Sequence, residues 1–245
     1  MSHSRASEGT GSAGPLFEER PTEFIVRDAF ALGAVPLALA GLAGLVGLEW
    51  LGYACMGLTV FVACFFRNPP RDISGDERTV VSPADGRVIT VGDAELPDGT
   101  KVPRVGIFLS VFNVHVNRAP VAGRVVSIER AGAKFLAAFN PRVDAENVRC
   151  AMTLETAFGE SVRVVQITGL IAWRIVCHPE VGETIRRGAR YGLIRFGSRT
   201  DVYLPPGSVV AVERGAKVRG GSTALGRLPD LHPAQEEAES ALEGG

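Results

Sequence analysis

Cysteine is scarce and poorly spaced for cross-linking. The four in 245 residues, Cys55, Cys64, Cys150 and Cys177, include no CxxC pair. Neither a disulfide framework nor a zinc site is expected, and the four read as small buried hydrophobes. Histidine is equally sparse. His3 and His232 lie in the two ends of the chain and His178 stands beside Pro179, which leaves His115. A β-rich metallopeptidase needs several His and Asp ligands, so it is poorly served here and no metal is expected. Net charge is nearly absent: 26 Lys and Arg against 27 Asp and Glu leave −1. That balance disfavours a polyanion-binding body and excludes nucleic acid from the expected partners. Beyond residue 72 no 12-residue amphipathic helical period stands out, and no lysine motif for a PLP cofactor is evident.

Charge is also missing from two long stretches near the start. Phe30 to Leu48 and Trp50 to Phe66 are uncharged runs of 19 and 17 residues, separated by Glu49. These lengths sit near the lower end of what crosses a ~30 Å hydrocarbon core. Arg27 precedes the first run, and Arg67 and Arg71 follow the second. The positive-inside rule then places both flanks in the cytoplasm and Glu49 at the far turn. Gly33, Gly41, Gly44 and Gly47 are small enough for close helix contact. Two membrane spans are the leading expectation. Pro36 and the shortness of the second run leave a re-entrant or interfacial hairpin as the alternative. The late start and the second apolar run argue against a cleaved signal peptide.

Four regions follow. Residues 1–22, rich in Ser, Gly and charge, read as a disordered tail, and residues 23–71 as the membrane hairpin with its flanks. Residues 72–222 form a β-rich body, and 223–245 an acidic tail of no assigned role. Short β-branched runs such as Val80-Val81, Val88–Val91, Val105–Leu109, Val125–Ile128, Val162–Ile167 and Val209–Val212 are punctuated by Gly, Pro and Asp-Gly. Ala131 to Arg149 is the irregular exception, a loop with a short turn. Pro83–Val88 and Val181–Gly188 look like the turns of a lipoyl- or biotinyl-type barrel-sandwich. The fold class expected is therefore mainly β, a barrel-sandwich-like body preceded by an α-helical membrane hairpin.

Three motifs in the body carry chemistry. Arg195-Phe196-Gly197-Ser198-Arg199-Thr200-Asp201-Val202-Tyr203-Leu204-Pro205 sets a Gly-Ser pair between strand-like runs. Most such pairs are plain turns, and the chain has three others, at Gly11-Ser12, Gly207-Ser208 and Gly221-Ser222. A serine attacking the carbonyl carbon of its own preceding peptide needs a crowded backbone, which glycine reaches at least steric cost. Serine at its free pKa is a poor nucleophile and needs a base. His115, in Phe112-Asn113-Val114-His115-Val116-Asn117-Arg118-Ala119-Pro120, is the best candidate, although a lone strand histidine is more often a structural hydrogen-bonder. Asp85, in Ser82-Pro83-Ala84-Asp85-Gly86-Arg87-Val88, either shapes its own turn or supports the base as the third member of a triad.

These three motifs, in this order, resemble the phosphatidylserine decarboxylases of the short, membrane-anchored type, and the resemblance covers about residues 23–220. It implies that the Gly197-Ser198 bond cuts itself and that Ser198 becomes a pyruvoyl group, the cofactor. It gives catalytic roles to Ser198, His115 and Asp85 and implies pieces 1–197 and 198–245 that stay associated. The pyruvoyl group would act as the electron sink for decarboxylating phosphatidylserine to phosphatidylethanolamine, the sink role PLP plays elsewhere. Long forms of the family often carry Leu-Gly-Ser-Thr, which makes Ser222 a rival, but the context of Ser198 matches the short-form motif nearly residue for residue. Phe112, Asn113, Asn117 and Arg118 become candidate substrate contacts. Some members carry a second histidine three residues on, where Arg118 stands here; either His115 serves both steps or Arg118 binds a carboxylate. Arg67-Asn68-Pro69-Pro70-Arg71 resembles a family junction, with arginines suited to lipid phosphate. Membrane, phospholipid substrate and a homodimer are the implied partners, with the body on the cytoplasmic side of the cell membrane. Because the triad lies wholly after residue 72, a chain lacking the hairpin is expected to fold and cut itself. The competing non-enzymatic reading is a membrane-anchored barrel-sandwich adaptor of the envelope, which stays uncut.

Overall fold

The computed structural model describes residues 15–17, 28–96, 99–136, 142–170, 174–194 and 198–230. The expectations for residues 1–14 and 231–245, and for Gly197, fall outside them.

The uncharged runs form two helices, α1 (Asp28–Leu45) and α2 (Glu49–Phe65). Glu49 opens α2, where its carboxylate complements the partial positive charge of the helix N-terminus. The connecting turn passes through Gly47 at φ 75°, a left-handed conformation that glycine adopts freely. The helices pack closely where Ala40 and Ala43 face Gly52 and where Gly33 faces Val62, whereas a Cβ added at Gly41 or Gly44 would meet nothing. Two full spans are not borne out: among the described residues no helix is long and apolar enough to cross a membrane. Helices of 18 and 17 residues reach only about 27 Å at a rise of ~1.5 Å per residue, short of the ~30 Å core. Most of the hairpin surface is apolar and uncovered, with Phe30, Leu42, Leu45, Trp50 and Tyr53 among its exposed side chains.

The body is built from β1 (Thr79–Val81), β2 (Gly86–Glu95), β3 (Lys101–Leu109), β4 (Val116–Arg118) and β5 (Gly123–Ala131). A single helical turn, α3 (Val143–Glu146), precedes β6 (Arg149–Glu155), β7 (Ser161–Thr168), β8 (Ile175–Cys177), β9 (Thr184–Ile185) and β10 (Arg190–Ile194). The last described strands are β11 (Ser198–Tyr203), β12 (Val209–Val210), β13 (Lys217–Val218) and β14 (Ala224–Arg227). Eight strands make one antiparallel sheet in the order β13-β2-β3-β11-β7-β6-β5-β9; β1-β14-β12 and β4-β10-β8 form two smaller sheets. All three donate to one core: Ile107, Met152, Val164 and Val202 from the large sheet, Val80 and Leu225 from one small sheet, and Tyr191 from the other. The body is thus mainly β, with a curled sheet.

Three expectations change. Ala224–Arg227, placed in the acidic tail, is a strand pairing with β1 and β12. Part of the N-terminal tail is tied down as well, since the Phe17 N–H donates to Thr184 O and the Thr184 N–H to Pro15 O. Cysteine burial holds for Cys150, but Cys64 is exposed because it lies on the hairpin's outer face.

One buried ionic cluster fixes β11. Asp201 is fully buried and accepts from Arg199 Nε at 2.7 Å and from Arg104 Nε at 3.0 Å. Asp144 of α3 closes the cluster on Arg104 at 2.8 Å and on Arg199 at 3.4 Å. Burial pushes the Asp201 carboxyl up, and the two guanidiniums pull it back. Asp201→Ala takes from both guanidiniums their buried partner and leaves them only the half-exposed Asp144, so unfolding by denaturant is expected to show a loss of up to about 3–5 kcal/mol; an unchanged midpoint would make the cluster incidental.

Candidate active site

Ser198 is the first residue of β11, in the middle of the large sheet, paired with Leu109 on one side and Thr168 on the other. The pleat sends Ser198, Thr200 and Val202 to one face, that of the main core. Ser198 is fully buried, and its Oγ has no hydrogen-bond partner among the described residues. A buried hydroxyl without a partner costs free energy that ordinary packing avoids. The other described Gly-Ser pairs differ. Gly221 takes φ 80°, Ser222 closes a turn onto Arg219 O, and its carbonyl accepts from Ser74 Oγ. Gly207-Ser208 also sits in a turn, closed by the Ser208 N–H on Pro205 O. The Ser208 Oγ is likewise unpartnered among the described residues, but Ser208 as a whole is only half-buried.

His115 precedes β4. Its carbonyl accepts from the Ile194 N–H at 3.4 Å, at the end of β10, four residues before Ser198. Two residues further along each strand, Asn117 Nδ2 donates to Thr200 Oγ1 at 3.4 Å. The register therefore brings the His115 end of β4 and the Ser198 end of β11 to the same edge of the core. Gly192 makes this packing of β10 feasible, because a Cβ there would collide with the Val176 carbonyl of β8.

The imidazole is 2% exposed. Its Nδ1 lies 2.9 Å from the Asn113 carbonyl. A carbonyl only accepts, so the neutral ring carries its proton on Nδ1 and keeps the Nε2 lone pair free. Nε2 is buried and unpartnered among the described residues, as a base awaiting a substrate proton should be. Burial pushes the His115 pKa down to about 4; the hydrogen bond to Asn113 opposes this and the nearby Arg67 charge adds to it.

Asp85 stands apart from this pair. Its carboxylate takes Arg71 Nη2 at 2.7 Å and the Gly220 N–H at 2.8 Å, and its described contacts do not include the imidazole. It ties the segment after the hairpin to the turn at 219–223. The four candidate substrate contacts also separate. Phe112 is 75% exposed and available. Asn113 caps a local turn, its Oδ1 accepting from the Ser110 N–H and Oγ. Asn117 is fully buried and accepts from Gln166 Nε2 at 2.8 Å. Arg118 donates to Gly188 O, Asn68 Oδ1 and Pro69 O, at 3.0 to 3.1 Å. It is a clamp between the body and the hairpin's flank. The arginines expected to meet lipid phosphate are likewise engaged, Arg71 with Asp85 and Arg67 with the carbonyls of Cys64 and Phe112. Sequence reasoning missed Phe65, whose ring stacks on His115; its position at the end of an apolar run pointed only to burial.

A buried serine and a buried histidine whose Oγ and Nε2 have no partner among the described residues, on a mainly β body with an apolar hairpin, suit internal nucleophilic chemistry. The phosphatidylserine decarboxylase family model matches residues 58–226, and the chain belongs to that family. It is 51% identical over 185 residues to the phosphatidylserine decarboxylase proenzyme of Geotalea uraniireducens (strain Rf4), covering 74% of this chain and 87% of that one. Against the proenzyme of the same name from Geobacter sulfurreducens the identity is 47% over 199 residues, 80% of this chain and 91% of the other. For Burkholderia pseudomallei (strain 1106a) it is 43% over 211 residues, 86% and 98%. The adaptor reading finds no support among these relatives.

Proposed function

We propose that this chain is a proenzyme that cuts itself at Gly197-Ser198 and then decarboxylates phosphatidylserine to phosphatidylethanolamine. The observation that carries the reading is the shared core edge of two fully buried, unpartnered reactive atoms, Ser198 Oγ and His115 Nε2. His115 Nε2 takes the Ser198 hydroxyl proton as Oγ attacks the carbonyl carbon of residue 197, and the amide nitrogen leaves with a proton. The resulting ester is opened by loss of the Ser198 Cα proton, which expels the upstream carboxylate and leaves dehydroalanine. Water then converts the dehydroalanine to a pyruvoyl group and ammonia. A serine whose Oγ is buried and unpartnered suits this fate, because the packing already accommodates the side chain without its hydroxyl in use.

Once formed, the pyruvoyl group supplies an electron sink for the carbanion left by CO2. It would be held at the head of β11, between β3 and β7, with His115 beside it to move protons. Asp85 ties the segment after the hairpin to the turn at 219–223 through Arg71 and Gly220. The exposed Phe112 offers an apolar contact to the lipid. The two pieces stay together because β11 is hydrogen-bonded on both sides to upstream strands, while β13 pairs with β2 and β14 with β1. The barrel-sandwich form belongs to this reading, supported by the turns at 83–88 and 181–188. So does a hairpin lying in the interfacial layer at the cytoplasmic face of the cell membrane, its uncovered apolar side chains meeting lipid. Intact-mass measurement of the purified chain is expected to give pieces 1–197 and 198–245, the smaller blocked by a pyruvoyl group. An active preparation holding only full-length chain sinks the reading, and cleavage before residue 222 transfers it to Ser222.

A further inference from the structure

The last turn of α2 reaches the site itself. Phe65 is 1% exposed although it belongs to the apolar hairpin. Its ring lies 4.0 Å, centroid to centroid, from the His115 imidazole, with 27° between the planes. Phe66 packs edge-on against it, and Val62, Phe65, Phe66 and Leu193 form a small core of their own, with Val176 at its margin. One face of the base is thus covered by the hairpin and not by the β body.

We propose that Phe65 is a positioning residue for His115: its ring, delivered by the hairpin, seals the imidazole face from water and keeps the base neutral with Nε2 free. The inference rests on the assignment of His115 as the base of self-cleavage. Charge around the imidazole acts in the same direction. Arg67, two residues beyond Phe65, is the charged group among the described residues that acts on it, and it opposes protonation. From β10 come the backbone of Ile194 and the apolar Leu193, and from the turn before β4 the Asn113 carbonyl. Removing the ring admits water to a cation that burial now disfavours, so the histidine becomes easier to protonate. The sign follows: a base works in its neutral form, so the wild-type rate should stay level down to a pH near the depressed value of about 4. In Phe65→Ala the decline should begin near the ordinary histidine value of about 6.5.

The test has two arms. Self-cleavage of full-length chain from cell-free synthesis is followed by gel between about pH 5 and 8. Wild type is expected to be level, Phe65→Ala to slow severalfold toward the acid end, and Phe65→Tyr to restore the level profile. In the second arm, His115 is titrated by NMR in the uncut Ser198→Ala chain, with and without Phe65→Leu, which keeps the helix seated but removes the ring face. The chain's four histidines are assigned by substitution. A titration midpoint that rises by one pH unit or more on loss of the ring supports the inference. An unchanged midpoint in a folded variant overturns it. Wild-type cleavage by His115→Gln is a different failure, since it removes His115 as the base and with it the ground for Phe65.

Discussion

Ser198→Ala leaves a single uncut polypeptide that releases no CO2 from phosphatidylserine. Both activities vanish together because the nucleophile is also the precursor of the cofactor, and no other side chain can supply either. The Oγ is buried and unpartnered among the described residues, so its removal breaks no hydrogen bond among them and leaves only a small void. The variant should lose no more than about 1 kcal/mol of unfolding free energy, since deleting an unsatisfied buried hydroxyl is close to neutral. Circular dichroism and a denaturing gel on the same sample separate this from misfolding. Ser222→Ala, in a turn whose side chain makes no described contact to the core, is expected to cut as wild type does. A cut Ser198→Ala chain would show that another residue is the nucleophile.

The sequence favours Ser198 over Ser222 on the Phe-Gly-Ser-Arg-Thr-Asp context alone, and the body it bounds at 222 continues into β14 at Ala224. What separates the two serines is burial, and burial depends on strand pairings distant in sequence, such as Ser198 with Leu109 and Thr168. Arg199, Thr200 and Asp201 lie in the same motif, yet their partners Asp144, Asn117 and Arg104 come from three other segments. No local pattern could reveal these pairings. β6 was missed for a related cause: Arg149–Glu155 alternates polar and apolar residues weakly, and its place is set by β5 and β7 on either side.

The hairpin shows where composition misleads. An uncharged run states that its residues avoid water, without saying what they avoid it in. Phe61 to Phe66 continues the run of Trp50 to Val60 without a break, yet its inner face is bound to protein, with Phe65 stacked on His115. Arg67 and Arg71 bounded the run in the expected way, but their guanidiniums turn inward, to the Phe112 carbonyl and to Asp85. The match to the family begins at residue 58, inside α2, near where that helix begins to pack on the body.

A chain that begins at residue 73 should therefore remain uncut, contrary to the reading in which the triad after residue 72 suffices. The truncation removes Phe65 and Phe66, each at most 2% exposed. At about 1.5–3 kcal/mol for each buried aromatic side chain, this costs on the order of 3–6 kcal/mol, a large part of the 5–15 kcal/mol that holds a typical domain. It also bares one face of His115, takes Asn68 and Pro69 from the Arg118 guanidinium, and leaves Asp85 without Arg71. A chain beginning at residue 49 is the informative partner, since it retains α2 and every one of these contacts while losing α1. It is expected to cut itself, and to float with phosphatidylserine vesicles less completely than the full chain because half of the exposed apolar surface is gone. Cleavage by gel and flotation on the same two truncations divide the roles of the helices, α1 serving attachment and the end of α2 serving the site. If the chain from residue 73 cuts as fast as the full-length protein, the packing of Phe65 on His115 has no part in maturation.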